Sequence, residues 1–203
     1  RFMKTEIKIC GLTKPEEARM LNNSRADYAG FVMFYEKSRR NNTVQNAWHV
    51  LRFLDRNIKR VAVVVSPSME QVKMIEQMDF QIIQVHGELS EEVLREIKLP
   101  VWRAYNIQDQ MNPEEVSNPK ICGYVLDGAK PGSGETFDWE ALQSFQRGDK
   151  KLILAGGLNV GNVEKAMEIL RPDVVDVSSG VEGPKGKDAV KIKEFIGKVR
   201  RHG

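Results

Sequence analysis

Short runs of aliphatic and β-branched residues recur along the whole chain, and between most of them lies a polar stretch whose apolar positions return with helical spacing. The runs predict strands at Glu6 to Cys10, Tyr28 to Met33, Arg60 to Val65, Gln81 to His86, Val101 to Tyr105, Gly123 to Asp127, Leu152 to Ala155 and Val174 to Val177. Helix starts fall where capping residues place them. Thr13-Lys14-Pro15-Glu16 reads as a capping box with proline in the first turn, and Ser68 with Gln71 as a second box. Ser90 before Glu91-Glu92, and Asp138 before Trp139, repeat the same grammar.

Alternating strand and helix forces parallel strands joined by right-handed crossovers, which leaves an open doubly wound sheet or a closed barrel. Eight units of about 25 residues reach the lower end of the (β/α)8 size range, so the count favours the barrel. The predicted fold is α/β, a single (β/α)8 TIM barrel with a parallel eight-stranded sheet, spanning 3–203 as one domain. Gln108 to Pro119 contains two prolines, which predicts a short or reduced fifth helix. Arg1 and Phe2 precede Met3 and are set aside as a remnant outside the fold.

Composition narrows the class further. The 203 residues are 41% hydrophobic and 29% charged, an ordinary globular balance that argues against a disordered or fibrous chain. With 31 Lys and Arg against 28 Asp and Glu, 31 − 28 gives a formal charge of +3, spread along the chain rather than gathered on a face that could track phosphates. The C-terminal cluster Lys191, Lys193, Lys198, Arg200 and Arg201 reads as a solvated helix end complementing the helix dipole. The expectation is therefore no nucleic-acid partner. No apolar run approaches the ~20 residues of a membrane span and no signal-peptide pattern opens the chain, which predicts a cytoplasmic protein with no membrane partner. Cys10 and Cys122 are too few for a disulfide framework, and no Cys/His cluster suggests a metal site.

In a (β/α)8 barrel the chemistry sits at the C-terminal ends of the strands and in the loops after them. That filter returns Cys10, Gln84 with His86, Asp127, Gly156-Gly157, Asp176 and Ser178-Ser179-Gly180. Small-residue turns after strands seven and eight expose backbone N–H groups where barrels commonly hold phosphate, although such turns also serve as plain connections. The period of two places Lys8 and Cys10 inside the barrel and Ile7 and Ile9 against the helices. A strand-end cysteine is either a small buried hydrophobe or, with cations beside it, a reactive thiol. Cys122, read as preceding the sixth strand, is taken as structural. Asp127 ends an apolar strand that calls for no charge, as a loop cap or as an acid in a half-enclosed mouth. Asp176 could pair with Lys8 or Arg103 in an internal ion network, and His86 could be structural or could touch a ligand. The loop Phe34 to Asn42 carries Glu36, Lys37, Arg39 and Arg40, and arginine suits a bidentate grip on a carboxylate.

Seven pieces occur in one family's order. They are Lys8-Ile9-Cys10-Gly11, Gly30-Phe31-Val32 with Ser38-Arg39-Arg40, Gln84-Val85-His86-Gly87, Leu126-Asp127, Gly132-Ser133-Gly134 running to Phe137-Asp138-Trp139, Leu154 to Asn159, and Asp176 to Glu182. Together they resemble the phosphoribosylanthranilate isomerases of tryptophan biosynthesis over nearly the whole chain. The resemblance implies an Amadori rearrangement of N-(5-phosphoribosyl)anthranilate to 1-(2-carboxyphenylamino)-1-deoxyribulose 5-phosphate, without metal or organic cofactor. It further implies Asp127 as the acid and Cys10 as the base, Arg40 on the anthranilate carboxylate, and phosphate on the backbone near Gly157 and Ser179-Gly180. The implied partner is a small phosphorylated substrate, with the chain a monomer or homodimer. Two rival readings are another phosphosugar isomerase or epimerase on the same barrel, and a sugar-phosphate-binding protein without catalysis. Related histidine-pathway isomerases, and the dual-substrate barrels similar to them, carry an aspartate where Cys10 stands, which favours the single-substrate enzyme.

Overall fold

The computed structural model describes residues 4–106, 117–128 and 138–202. The eight predicted strands are present as β1 (Glu6–Cys10), β2 (Tyr28–Met33), β3 (Lys59–Val65), β4 (Ile82–His86), β5 (Val101–Asn106), β6 (Ile121–Asp127), β7 (Lys151–Ala155) and β8 (Val174–Val177). Each pairs in parallel with its neighbour in sequence, and β8 pairs with β1 while β1 pairs with β2, which closes the ring. The described helices are α1 (Pro15–Ser24), α2 (Val44–Leu51), α3 (Met69–Glu76), α4 (Glu91–Glu96), α5 (Trp139–Leu142), α6 (Val163–Leu170) and α7 (Ala189–His202). The reduced helix expected in Gln108 to Pro119, and the motif Gly132-Ser133-Gly134 to Phe137, fall mostly or wholly outside the described residues. None of the described helices is long and apolar enough to cross a membrane.

Strand periodicity sorts the apolar residues into two layers. One row from each strand, including Tyr28, Val61, Val63, Ile82, Trp102, Val125, Ile153 and Val174, fills the barrel interior. The alternate row, including Ile7, Ile9, Phe31, Ala62, Val64, Ile83, Val85 and Leu154, packs under the helices. Each fully buried aliphatic side chain in these layers contributes roughly 1.5–3 kcal/mol of transfer free energy. Apolar filling holds the lower barrel, so polar residues on the inward row near the strand ends stand out against it.

Caps at Ser68, Ser90 and Asp138 form as expected, accepting from the backbone of Gln71, Val93 and Ala141. The start of α1 differs. Lys14 is the N-cap residue, and its side chain has no acceptor to offer. Glu17, rather than Glu16, takes the acceptor role, with Oε1 receiving the N–H groups of Thr13 and Lys14 at 2.8 and 3.1 Å. Its other oxygen receives the Lys187 N–H at 2.8 Å, tying α1 to the hairpin Glu182–Gly183/Gly186–Lys187 that follows β8. Cys122 lies within β6 instead of before it, since the strand begins at Ile121; its Sγ is 3.6 Å from the Val101 carbonyl.

Candidate active site

The strand ends surround a cavity of about 600 Å³ at the C-terminal mouth of the barrel. Cys10, Arg40, Gln84, His86, Asp127, Gly156, Gly157, Asp176, Ser178 and Ser179 all line it, so nearly every residue singled out from the sequence converges there. Gly180 does not line the cavity; it backs onto the Leu158 carbonyl so closely that a Cβ could not be accommodated, which brings the turns after β7 and β8 together. Gly157 and Ser179 face solvent at this rim. Apolar walls come from Val32, Val63, Ala104, Val125 and Ala155.

Register explains the polar contacts inside. Lys8 and Asp176 occupy paired positions on β1 and β8, and their inward side chains meet at 2.7 Å with Lys8 fully buried. Lys8 Nζ also donates to Gln84 Oε1 at 3.0 Å. Burial works against the Lys8 ammonium, but Asp176 and Cys10 outweigh it and hold it above its ordinary value. Asp176 Oδ1 is buried without a hydrogen-bond partner among the described residues, in a residue that lines the cavity. Arg103 is not part of this network. It belongs to the outer row of β5, where its guanidinium donates to the carbonyls of Val85 and Gly87 and lies over the Tyr105 ring. The expected internal alternatives therefore reduce to the Lys8–Asp176 pair.

Cys10 pairs in register with Gly30, and a Cβ on Gly30 would stand 2.6 Å from Sγ, so glycine leaves the room in which the thiol lies. Burial pushes the thiol above its ordinary value, against the pull of Lys8 and Lys187 toward thiolate. The cationic neighbours expected for a reactive thiol are thus present, but desolvation wins. Asp127 ends β6, three strands round the ring from Cys10, and is half-buried at the same mouth.

The loop after β2 delivers Arg40 through a set of polar ties. Asn42 Nδ2 donates to the Leu12 carbonyl at 2.9 Å, its Oδ1 accepts from Asn46, and Ser38 Oγ accepts the Arg40 N–H. Arg40 then meets Glu182 side-on, Nε to Oε2 at 3.0 Å and the terminal nitrogen to Oε1 at 2.5 Å. Arg39 reaches the same carboxylate from the surface, 70% exposed, and the buried Lys187 reaches it at 3.0 Å. Burial would raise the Glu182 carboxyl, but the Arg40 and Lys187 bonds overcome it and hold it down at about 2. Lys187 also donates to the Ser178 carbonyl and hydroxyl, and that hydroxyl donates to the Cys10 carbonyl at 2.9 Å. Sequence reasoning missed Glu182 and Lys187 as members of the site.

Comparison with known proteins agrees with this geometry. Residues 7–198 match the family described as N-(5'phosphoribosyl)anthranilate (PRA) isomerase. An N-(5'-phosphoribosyl)anthranilate isomerase from Thermoanaerobacter sp. (strain X514) is 38% identical, over 96% of this chain and 98% of the relative. The crystal structure of phosphoribosyl anthranilate isomerase from Thermotoga maritima superposes with a TM-score of 0.85 at 35% identity, covering 97% of this chain and 99% of that one. A crystal structure of such an isomerase in complex with reduced 1-(o-carboxyphenylamino)-1-deoxyribulose 5-phosphate has a TM-score of 0.81 at 33% identity, with coverages of 97% and 99%.

Proposed function

The chain belongs to the N-(5'-phosphoribosyl)anthranilate isomerase family, and from that premise we propose that its mouth cavity carries out the family's rearrangement with Cys10 as base and Asp127 as acid. The observation that carries the assignment is the placement of a thiol and a carboxyl on β1 and β6, facing one cavity that also contains an arginine and two small-residue turns. An isomerisation that opens a ribose ring and moves a proton between neighbouring carbons needs one group to give a proton and another to take one. Asp127 protonates the ring oxygen, and the ring opens to an iminium. The Cys10 thiolate then removes the C2 proton to give the enolamine, which tautomerises to the ketone.

The substrate's two anionic ends are divided between two sites. Backbone N–H groups of the turns around Gly156-Gly157 and Ser178 to Gly180 receive the phosphate, in the place after strands seven and eight where this fold favours anions. Arg40 receives the anthranilate carboxylate. Glu182 takes two of its five N–H donors, and the end-on pair, one N–H from each terminal nitrogen, remains for a second carboxylate. Asp176, with one oxygen on Lys8, offers Oδ1 to a sugar hydroxyl. Small phosphorylated metabolites of this kind fit a cytoplasmic enzyme, monomeric or homodimeric, that needs no resident cofactor.

A thiol at position 10 separates this reading from the histidine-pathway barrels, and a phosphate-binding protein without turnover would need neither Cys10 nor Asp127. Incubation of the protein with freshly made phosphoribosylanthranilate should remove the anthranilate-type fluorescence of the substrate. Persistence of that signal with substrate bound would leave a binding protein in place of an isomerase.

A further inference from the structure

Gln84 and His86 share the inward row of β4, and the hydrogen bonds around them admit one arrangement of protons. An ammonium can only donate, so the Gln84 atom 3.0 Å from Lys8 Nζ is the amide oxygen. The amide nitrogen, which also only donates, is thereby turned onto His86 Nε2 at 2.8 Å. Nε2 must accept, and an imidazole that accepts at Nε2 carries its proton on Nδ1 and is uncharged. Turning the amide over would set two donors against each other at Lys8, in a barrel interior where water cannot compensate. Lys8 stays an ammonium because Asp176 holds it at 2.7 Å.

We propose that Gln84, clamped by Lys8, is a positioning residue that holds His86 as its neutral Nδ1–H tautomer, so that the Nε2 lone pair is already engaged and the imidazole does not serve as a base. The proposal rests on the isomerase reading of this cavity. Among the described residues, the charged and titratable groups that line the same cavity as His86 are Cys10 on β1, Arg40 in the loop after β2, Tyr105 on β5, Asp127 on β6 and Asp176 on β8, with buried Lys8 one hydrogen bond beyond Gln84. Arg103, on the outer face of β5, grips the carbonyls on either side of His86, so that cations bracket β4 from inside and outside. These cations oppose a second proton on the ring while the carboxylates Asp127 and Asp176 favour one, and the Gln84 N–H set on Nε2 decides between them. Base duty then falls to Cys10 even though its thiol is harder to ionise than a free one.

The test is long-range 1H–15N correlation on the intact labelled chain, whose three histidines keep the spectrum simple to assign. Wild-type His86 should show a protonated Nδ1 and a bare Nε2 between pH 6 and 8. Gln84→Glu presents an oxygen where the amide nitrogen stood; it should move the proton to Nε2, stabilise imidazolium and add a limb to the pH profile of kcat/KM near the ordinary imidazole range of about 6.5. The loss of kcat/KM at pH 7 should be about tenfold. Gln84→Met, which lacks both bonds, should release the tautomer without adding that limb. A protonated Nε2 in the wild type overturns the proposal, as does a Gln84→Glu protein with unchanged tautomer and pH profile. If the variants fail to fold, the wild-type spectrum alone decides. A bare Nε2 in a protein without turnover would leave the lock standing and remove the isomerase reading instead.

Discussion

The two ends of the barrel contain the same chemical trio in different surroundings. At the N-terminal end, Glu6, Lys151 and the Tyr28 hydroxyl interact at 3.0–3.2 Å, with the Glu6 and Lys151 side chains 33% and 44% exposed. At the mouth, Glu182, Lys187 and the Ser178 hydroxyl interact at similar distances, with Glu182 and Lys187 side chains 9% and 0% exposed. Water screens the first trio, which makes it a weak contributor to stability. The second has lost that water, and burying charges is costly unless they are matched in detail. The desolvation cost offsets what the pairing gains, so net fold stability is a weak reason for four charged side chains, Arg40, Glu182, Lys187 and exposed Arg39, to gather beside the cavity. On the proposed reading, an anionic substrate that needs a pre-set arginine is the better reason, and the difference between the ends then separates what holds the barrel together from what it uses.

The largest effects should come from the groups proposed to move protons. Cys10→Ala and Asp127→Asn should each lower kcat by about 10² to 10⁴, roughly 3 to 5 kcal/mol in the barrier, with substrate still bound. The base must be ionised, and burial raises the Cys10 thiol; the rising limb of kcat/KM should therefore lie on the alkaline side of the ordinary thiol value of about 8.5. Folded Cys10→Ala that binds substrate and turns it over at near wild-type kcat would return Cys10 to the role of a small buried hydrophobe.

The mouth trio should matter next. The Glu182 carboxyl is held at about 2 in the folded chain, below its unfolded value near 4.3. Its contribution to stability is thus fully present above pH 4.5 and is lost as pH falls toward 2, on the order of 2–3 kcal/mol. Thermal melts of Glu182→Gln should be flatter across that window than those of the wild type. Equal slopes would mean that the matched charges at the mouth contribute as little as the exposed trio. Arg40→Ala should come third, raising KM about tenfold to a hundredfold while kcat changes less, because a grip kept through the reaction stabilises ground and transition states alike. If Arg39→Ala lowered kcat/KM and Arg40→Ala did not, the two arginines would exchange roles.

How much of this could be read from residues alone also divides by end and by range. Strand positions came through within two residues because alternation and β-branching are local, and the same period correctly turned Lys8 and Cys10 inward. Convergence of Cys10, Asp127 and the late turns followed from the fold, since strand ends of a closed barrel must meet. The Glu182 cluster did not, because its members come from loops some 140 residues apart and no spacing links Arg40 to Glu182. Of the two inward partners offered for Asp176, Lys8 is the one found, and parity with Val101 and Tyr105 on β5 would have removed Arg103. The α1 cap was misassigned by one residue, since Glu17 answers to a hairpin far along the chain as well as to its own helix.

The smallest effect should be found at the N-terminal end, and it bears most directly on the comparison. Glu6→Gln removes the charge of the exposed trio but keeps its shape, and the expected cost is about 0–1 kcal/mol, a melting shift of at most a few degrees for a chain of this size. Activity should not change. The neighbouring Tyr28 hydroxyl supplies an internal control: burial, helped by Glu6 and opposed by Lys151, pushes it up to about 12. A group raised in this way stabilises the fold below its unfolded value near 10, and that contribution is lost as pH climbs toward 12. Because burial is the main cause, Glu6→Gln should retain most of this alkaline loss, whereas Tyr28→Phe should abolish it. Loss of the alkaline transition in Glu6→Gln, or a destabilisation as large as that of Glu182→Gln at neutral pH, would mean that the exposed trio is coupled as tightly as the buried one and that solvent exposure does not distinguish the two ends.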